Sequence, residues 1–143
     1  MKKCILIFGI VAAFFCASCN NQDDIDAFFV KKAAEMNKRY CPRDVGSGPG
    51  YIKGSEILDS ITYRTENHTF GYNYTINDSL FTDSIILSSK DAIRDAKKKE
   101  IINSVSLKKE KENGVSFQYT YYGKVKKNII LRFTFGPDEY GSI

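Results

Sequence analysis

The chain reads as a single α+β domain: a four-stranded antiparallel sheet with helices packed on one face, in the order helix, strand, strand, helix, strand, strand. Three observations predict it. Apolar residues recur in steps of three, four and seven between Ile25 and Tyr40, which places one stripe on a helix. Four later segments alternate with the period of half-buried strands. Polar or glycine-bearing breaks divide those four into two pairs with a second helical segment between them.

The first helix is expected over about residues 24–40. Ile25, Phe28, Phe29, Ala33, Met36 and Tyr40 make its apolar stripe, and Lys31, Glu35, Lys38 and Arg39 lie largely opposite. Asp23 and Asp24 favour its N-terminus, Lys38 and Arg39 its C-terminus, and Pro42 ends it. Residues 41–54 read as a loop. Its Gly46, Gly48 and Gly50 lack the Lys-Ser/Thr ending and the preceding strand of a phosphate loop.

The first strand alternates Ile57, Asp59, Ile61 and Tyr63 against Leu58, Ser60 and Thr62. A polar turn at 65–68 leads to the second, where Phe70, Tyr72, Tyr74 and Ile76 share a face. Ser88 or Ser89 is placed to cap a second helix running from Asp91 to about Asn103, with Ile93, Ala96, Ile101 and Ile102 as a weaker stripe. Its Lys97-Lys98-Lys99 run, flanked by Asp95 and Glu100, reads as a solvated face. Residues 104–112 fit either frayed helix or loop, and Asn113-Gly114 stops them. The last pair sets Val115, Phe117, Tyr119 and Tyr121 against Ile129, Leu131, Phe133 and Phe135, joined by a basic turn over 123–128. Three strands each offer four large apolar residues on one face, and the first helix is the expected cover. The pattern is similar to cystatin-like folds, in which a sheet wraps a helix. The likeness is one of fold and implies no cystatin activity.

The N-terminus carries an address. Met1-Lys2-Lys3 is cationic, Cys4 to Phe15 is almost unbrokenly apolar, and Cys16-Ala17-Ser18-Cys19 precedes an abrupt polar stretch. This is the layout of a secretory signal. The small residues directly before Cys19 make it resemble a bacterial lipoprotein signal cut by signal peptidase II. That resemblance implies removal of residues 1–18, palmitate-type lipidation of Cys19, and a lipid anchor at the outer membrane of the cell envelope. Residues 19–24 would form a lipidated tether and 25–143 the domain.

The acidic run Gln22-Asp23-Asp24-Ile25-Asp26 resembles export signals of surface lipoproteins from Bacteroidetes. Asp59-Ser60-Ile61, Asp78-Ser79-Leu80 and Asp83-Ser84-Ile85 resemble the O-glycosylation sequon of envelope proteins from that phylum. Ser60, Ser79 and Ser84 are therefore candidate modification sites. A broader resemblance, carried by Met36-Asn37, Cys41-Pro42, Leu58-Asp59-Ser60, Thr69-Phe70, Tyr72-Asn73-Tyr74-Thr75 and Gly114-Val115, is to a family of small exported bacterial proteins. It implies the order of elements and no mechanism.

Composition narrows the function. Lys and Arg number 21 against 17 Asp and Glu, a net charge of +4, which falls to about +2 once Lys2 and Lys3 leave with the signal. That is too little positive charge to predict nucleic-acid binding. No second apolar run is long enough to span a bilayer. Cys4 and Cys16 leave with the signal and Cys19 takes lipid, so Cys41 remains without an internal disulfide partner. One histidine and one free thiol predict no metal site, and the Asp23-Asp24-Asp26 cluster lacks the glycine and spaced oxygens of a calcium loop. No cofactor motif occurs.

The leading expectation is thus a non-enzymatic, membrane-anchored module that binds another macromolecule, a protein partner above all, a class that includes inhibitor and immunity proteins. Tyr122, Lys124, Lys126 and Lys127 at the last hairpin are its candidate contact patch. The alternative is an accessory subunit of a glycan-uptake or envelope assembly, with tyrosines as stacking surfaces. A third reading is a cysteine-dependent hydrolase using Cys41 and His68, which requires the base within hydrogen-bond reach of the thiol.

Overall fold

A computed structural model describes residues 19–46 and 51–141; the expected signal over 1–18 lies outside the described residues. The chain forms helix α1 (Cys19–Tyr40), strands β1 (Arg43–Asp44), β2 (Glu56–Arg64) and β3 (Thr69–Ile76), helices α2 (Asp83–Ser88), α3 (Lys90–Asn103) and α4 (Lys108–Glu112), strands β4 (Ser116–Gly123) and β5 (Ile129–Phe135), and helix α5 (Pro137–Tyr140). The strands make one sheet in the order β1-β2-β3-β4-β5. Neighbours are antiparallel except β3 and β4, which are parallel.

The α+β class holds, but the expected four-stranded antiparallel sheet is corrected to a five-stranded mixed one. The fifth strand is β1, a short edge strand paired with β2 inside the 41–54 segment expected as a loop; the parallel join comes from the helical crossover between β3 and β4. Helix α3 rises about 21 Å, close to the roughly 26 Å of an eight-residue strand. It carries the chain back to the start of β3, where the Ser116 N–H donates to the His68 carbonyl at 2.9 Å. A strand entered from that end must run parallel to β3.

Strand β2 also departs from its expected alternation. A bulge between Leu58 and Ser60 leaves Asp59 as the extra residue. Leu58 thereby joins Ile61 in the core, whereas Asp59 stays exposed. Strict alternation would have forced a carboxylate onto the apolar face; the bulge re-aims it into water. Strands β4 and β5 keep the alternation: Phe117, Tyr119, Tyr121, Leu131, Phe133 and Phe135 are buried. Ile129 is exposed, and the ladder beside it is irregular at Tyr121/Tyr122.

Helix α1 begins at Cys19, so residues 19–24, expected as a polar tether, are its first turns. It docks through Phe29 and Ala33. The Phe29 ring lies 5.4 Å from Tyr63 and 5.8 Å from Phe70, edge-on to the latter. Phe29→Ala is expected to destabilise the domain by about 3–5 kcal/mol, read as a shifted midpoint in urea unfolding. The opposite sheet face is polar and bonded across strands, as where Asn73 donates to Ser60 Oγ at 2.9 Å and Gln118 to Thr134 Oγ1 at 3.0 Å.

The crossover holds more structure than its sequence suggests. Thr82 caps α2, its hydroxyl accepting from the Ile85 N–H. Ser89 occupies the N-cap position of α3, but its hydroxyl donates to the Ile85 carbonyl at 3.2 Å instead of capping. Helix α4 falls within the segment that fits frayed helix or loop. Its Lys111 ammonium donates to the Ile101 and Ile102 carbonyls at 3.2 and 2.9 Å. A cation there satisfies the free carbonyls at the end of α3 and complements its dipole.

Candidate functional site

Helix α1 covers the apolar sheet face over β2, and α3 packs toward β5. Between them opens a trench of about 390 Å³. Tyr72, Tyr74 and Tyr119 floor it, Met36 and Tyr40 line it from α1, and Lys97 and Glu100 line it from α3. A second hollow of about 340 Å³ continues it past Val45 and Lys97, which line both, toward Glu56 and Tyr121.

The tyrosine floor follows from strand alternation combined with the parallel register. That register sets Tyr72 beside Tyr119 and Tyr74 beside Tyr121. The rings form a stacked row: Tyr72 to Tyr119 at 5.1 Å, Tyr119 to Tyr74 at 6.4 Å, and Tyr74 to Tyr121 at 4.9 Å, all within 17° of parallel. Burial, and after it neighbouring charges that include Glu100, push all four phenols far above the ordinary tyrosine range. Each therefore stays a neutral hydrogen-bond donor.

Lys97 corrects the expectation that its lysine run is wholly solvated. Its ammonium lies 5.3 and 5.4 Å from the Tyr74 and Tyr119 ring centroids and 3.1 Å from Glu100 Oε2. The reason is spacing: residue 97 stands four positions from both Ile93 and Ile101, on one helical stripe. The long stem lies over the apolar floor while the charged head meets rings and carboxylate. Ala96 and Ile102, expected on that stripe, are exposed. At the far end of the trench, burial raises the Glu56 carboxyl above its ordinary value; Lys97 opposes the shift, and Asp44 and Glu100 add to it.

The hydrolase pair is not brought together. Cys41 follows the end of α1 and packs against the core. Burial first, and the Asp59 charge second, hold its thiol above the ordinary range, which disfavours the nucleophilic thiolate. His68 sits after the β2–β3 turn at φ 47°, its Nδ1 3.0 Å from Asp26 Oδ1 near the start of α1. The fifteen positions from Asp26 to Cys41 correspond to roughly 22 Å of helix.

Asp26 itself accepts from the Tyr63 hydroxyl at 2.8 Å and from Gln22 at 3.2 Å. Burial opposes its ionisation, but the hydrogen bonds of Tyr63, His68 and Gln22 outweigh it and hold the carboxyl below its ordinary value. A carboxyl depressed on folding adds stability above its unfolded value of about 3.9, and that stability is lost as the pH falls through the folded value. Asp26→Asn is therefore expected to destabilise more at pH ~6 than at pH ~3, measured by urea unfolding at both.

The other expected site residues are scattered. Tyr122 is half-buried on β4, and Lys124 and Lys127 are exposed. Lys126 pairs with Asp83 Oδ2 at 2.7 Å. Ser60 is held by Asn73 in mid-strand, whereas Ser79 lies exposed on a turn and Ser84 exposed on α2. Cys19 opens α1. Among the described residues, no three His, Cys, Asp or Glu side chains converge as metal ligands.

The chain belongs to the family described as a domain of unknown function (DUF8479), whose model matches residues 24–131. No curated protein matches it significantly. A Pseudomonas aeruginosa protein described as secreted is similar in structure, with a TM-score of 0.60 at 13% identity over 81% of this chain and 96% of that one. The pilotin EpsS of the Vibrio vulnificus type 2 secretion system is similar with a TM-score of 0.57 at 7% identity, over 86% of this chain and 97% of that one. The type II secretion system pilotin AspS of Vibrio cholerae has a TM-score of 0.50 at 10% identity, over 86% and 98%. At these identities the likeness is one of fold.

Proposed function

We propose that this member of the DUF8479 family is an accessory component of an envelope assembly. It is exported, anchored at the outer membrane by lipid on Cys19, and holds a polypeptide partner in the trench between α1 and α3. The observation that carries the reading is the trench itself, an open channel of mixed polar and apolar lining, edged by Arg43, Lys97, Glu56 and Glu100 and floored by neutral phenols. Its rings stack on one another, which supports a polypeptide over a sugar as the occupant. The distance between Cys41 and His68, and the raised thiol, support binding over catalysis. Two structures of the same fold are secretion-system pilotins, which supports an accessory role over an inhibitor or immunity role.

The anchor has its own test. Cys19→Ala is expected to abolish palmitate labelling and to leave residues 1–18 uncleaved, read as a heavier, unlabelled protein; a variant that is still labelled, or is processed like the parent, contradicts the anchor. The accessory role is tested by comparing native envelope complexes with and without the protein. One complex is expected to lose its assembly or its place. An unchanged set of complexes would count against the reading.

A further inference from the structure

We infer that the hollow beyond the far end of the trench is a site for one basic side chain, a lysine or an arginine, whose apolar stem lies along its wall and whose charged head meets Glu56. That this side chain belongs to the trench partner rests on the reading above; the site itself does not.

The hollow has a volume of about 360 Å³. It joins the trench through Glu56, Ile76 and Ile93, which also line the adjoining hollow of about 340 Å³. Ile76, Phe81, Ile86 and Ile93 make its wall, and Ile52 and Ile85, 48% and 54% exposed, stand at its rim. Glu56 is the one charged residue among the described residues that line it. The sheet fixes its place: Glu56 pairs with Ile76 of β3, and its carbonyl accepts from the Val45 N–H at 3.1 Å. An apolar pocket with a single carboxylate complements a group that is apolar along its length and cationic at its tip.

That carboxylate is also unmatched. The acids near it have partners: Asp44 accepts from the Gly54 N–H at 2.8 Å and from the Tyr51 hydroxyl, Asp78 accepts from the Val125 N–H at 2.8 Å, and Asp83 pairs with Lys126 at 2.7 Å. The Glu56 carboxyl has no hydrogen bond or ion pair among the described residues. Asp44 and Glu100 keep their charges and add to the negative field at Glu56. Lys97 opposes that field but is itself paired with Glu100 at 3.1 Å. Lys53 and Lys90 are exposed and line neither hollow. Burial raises the carboxyl above its ordinary value, as expected of a charge held partly out of water without a counter-ion. A cation delivered there offsets that cost and adds a charge-assisted hydrogen bond.

n-Pentylamine, which has the stem and ammonium of a lysine side chain, tests the site in the mature protein. Amide spectra are expected to show saturable shifts centred on Glu56, Ile85 and Ile93. The Glu56 carboxyl, followed by its side-chain carbon resonance, is expected to titrate at lower pH with the amine bound. Binding should weaken by about tenfold or more in Glu56→Gln, and equally when 1-pentanol replaces the amine on the unaltered protein. Thermal melting checks that the variant folds. Equal binding of amine and alcohol, shifts that leave Glu56 untouched, or unchanged binding by folded Glu56→Gln would each overturn the inference. The partner's share is read separately, by photocrosslinking from Tyr40 in the native envelope. Capture that falls by about tenfold with Glu56→Gln supports a basic residue of the partner at this site. Full capture with Glu56→Gln overturns that assignment, whereas no capture from Tyr40 in either protein counts against the trench reading alone.

Discussion

Lys32→Met is expected to destabilise the domain by about 3–5 kcal/mol, although Lys32 lies on the flank of α1 and keeps part of its side chain in water. The effect originates on α4. The Glu110 side chain is 0% exposed and forms an ion pair with the Lys32 ammonium. Its Oε2 has no hydrogen-bond partner among the described residues. Removing the cation leaves a carboxylate out of water with nothing to balance it, whereas the Met side chain retains the packing of the Lys stem. The pair is also a tie between α1 and α4, reinforced by the Lys109 ammonium 3.3 Å from the Phe28 ring centroid.

Replacing both partners separates electrostatics from packing. Lys32→Met with Glu110→Leu is expected to recover most of the lost stability, because a well-packed apolar pair substitutes for a buried ion pair with little penalty. Chemical unfolding of the single and double variants measures this directly. If the double variant is no more stable than Lys32→Met, packing rather than the unbalanced charge is responsible.

Tyr40→Ala is expected to weaken capture of the trench partner by about 30-fold, the roughly 2 kcal/mol of a contact residue that dominates an interface. Tyr40 ends α1 at the trench wall and is 37% exposed, so its ring is available to an incoming chain. The Arg39 guanidinium lies 5.4 Å from that ring, which holds the side chain in place before binding. Folding is expected to change little, since Tyr40 is not part of the buried core. Thr62→Ala, exposed on the opposite sheet face, should leave capture unchanged. Paired affinity measurements on these two variants distinguish a trench site from adhesion to the domain as a whole.

Much of the scaffold is legible in the chain. The stripe from Ile25 to Tyr40 and the alternation of Phe117, Tyr119 and Tyr121 read directly, because burial of one face imposes a period of 3.6 or 2. The parallel join was accessible too: a helix between two strands is the signal of a crossover. Read as two separate hairpins, the four strands concealed it. The Asp59 bulge was less accessible, since local alternation groups Asp59 with Ile57, Ile61 and Tyr63, and only the pairing with β3 shows the extra residue that turns it to water. Of the trench, the tyrosines were visible as strand residues but their neighbours were not. Lys97 was hidden in a charge run, although its four-residue spacing from Ile93 and Ile101 places it on the inner stripe. Glu110 was hidden for the opposite reason. Its burial depends on Lys32, 78 positions earlier, and no local pattern carries such a pairing.

The claim that a protein partner occupies the trench is tested most directly by site-specific photocrosslinking in the native envelope. A crosslinking residue is placed at Tyr40 or Ser104, which line the trench, and at Thr62 or Arg132, which are exposed strand residues outside it. Products are read by mass spectrometry. A single stoichiometric protein captured from Tyr40 and Ser104, and not from Thr62 or Arg132, is the predicted result. Capture of the same protein from Thr62 and Arg132 alone, or no discrete partner from any position, would contradict the account.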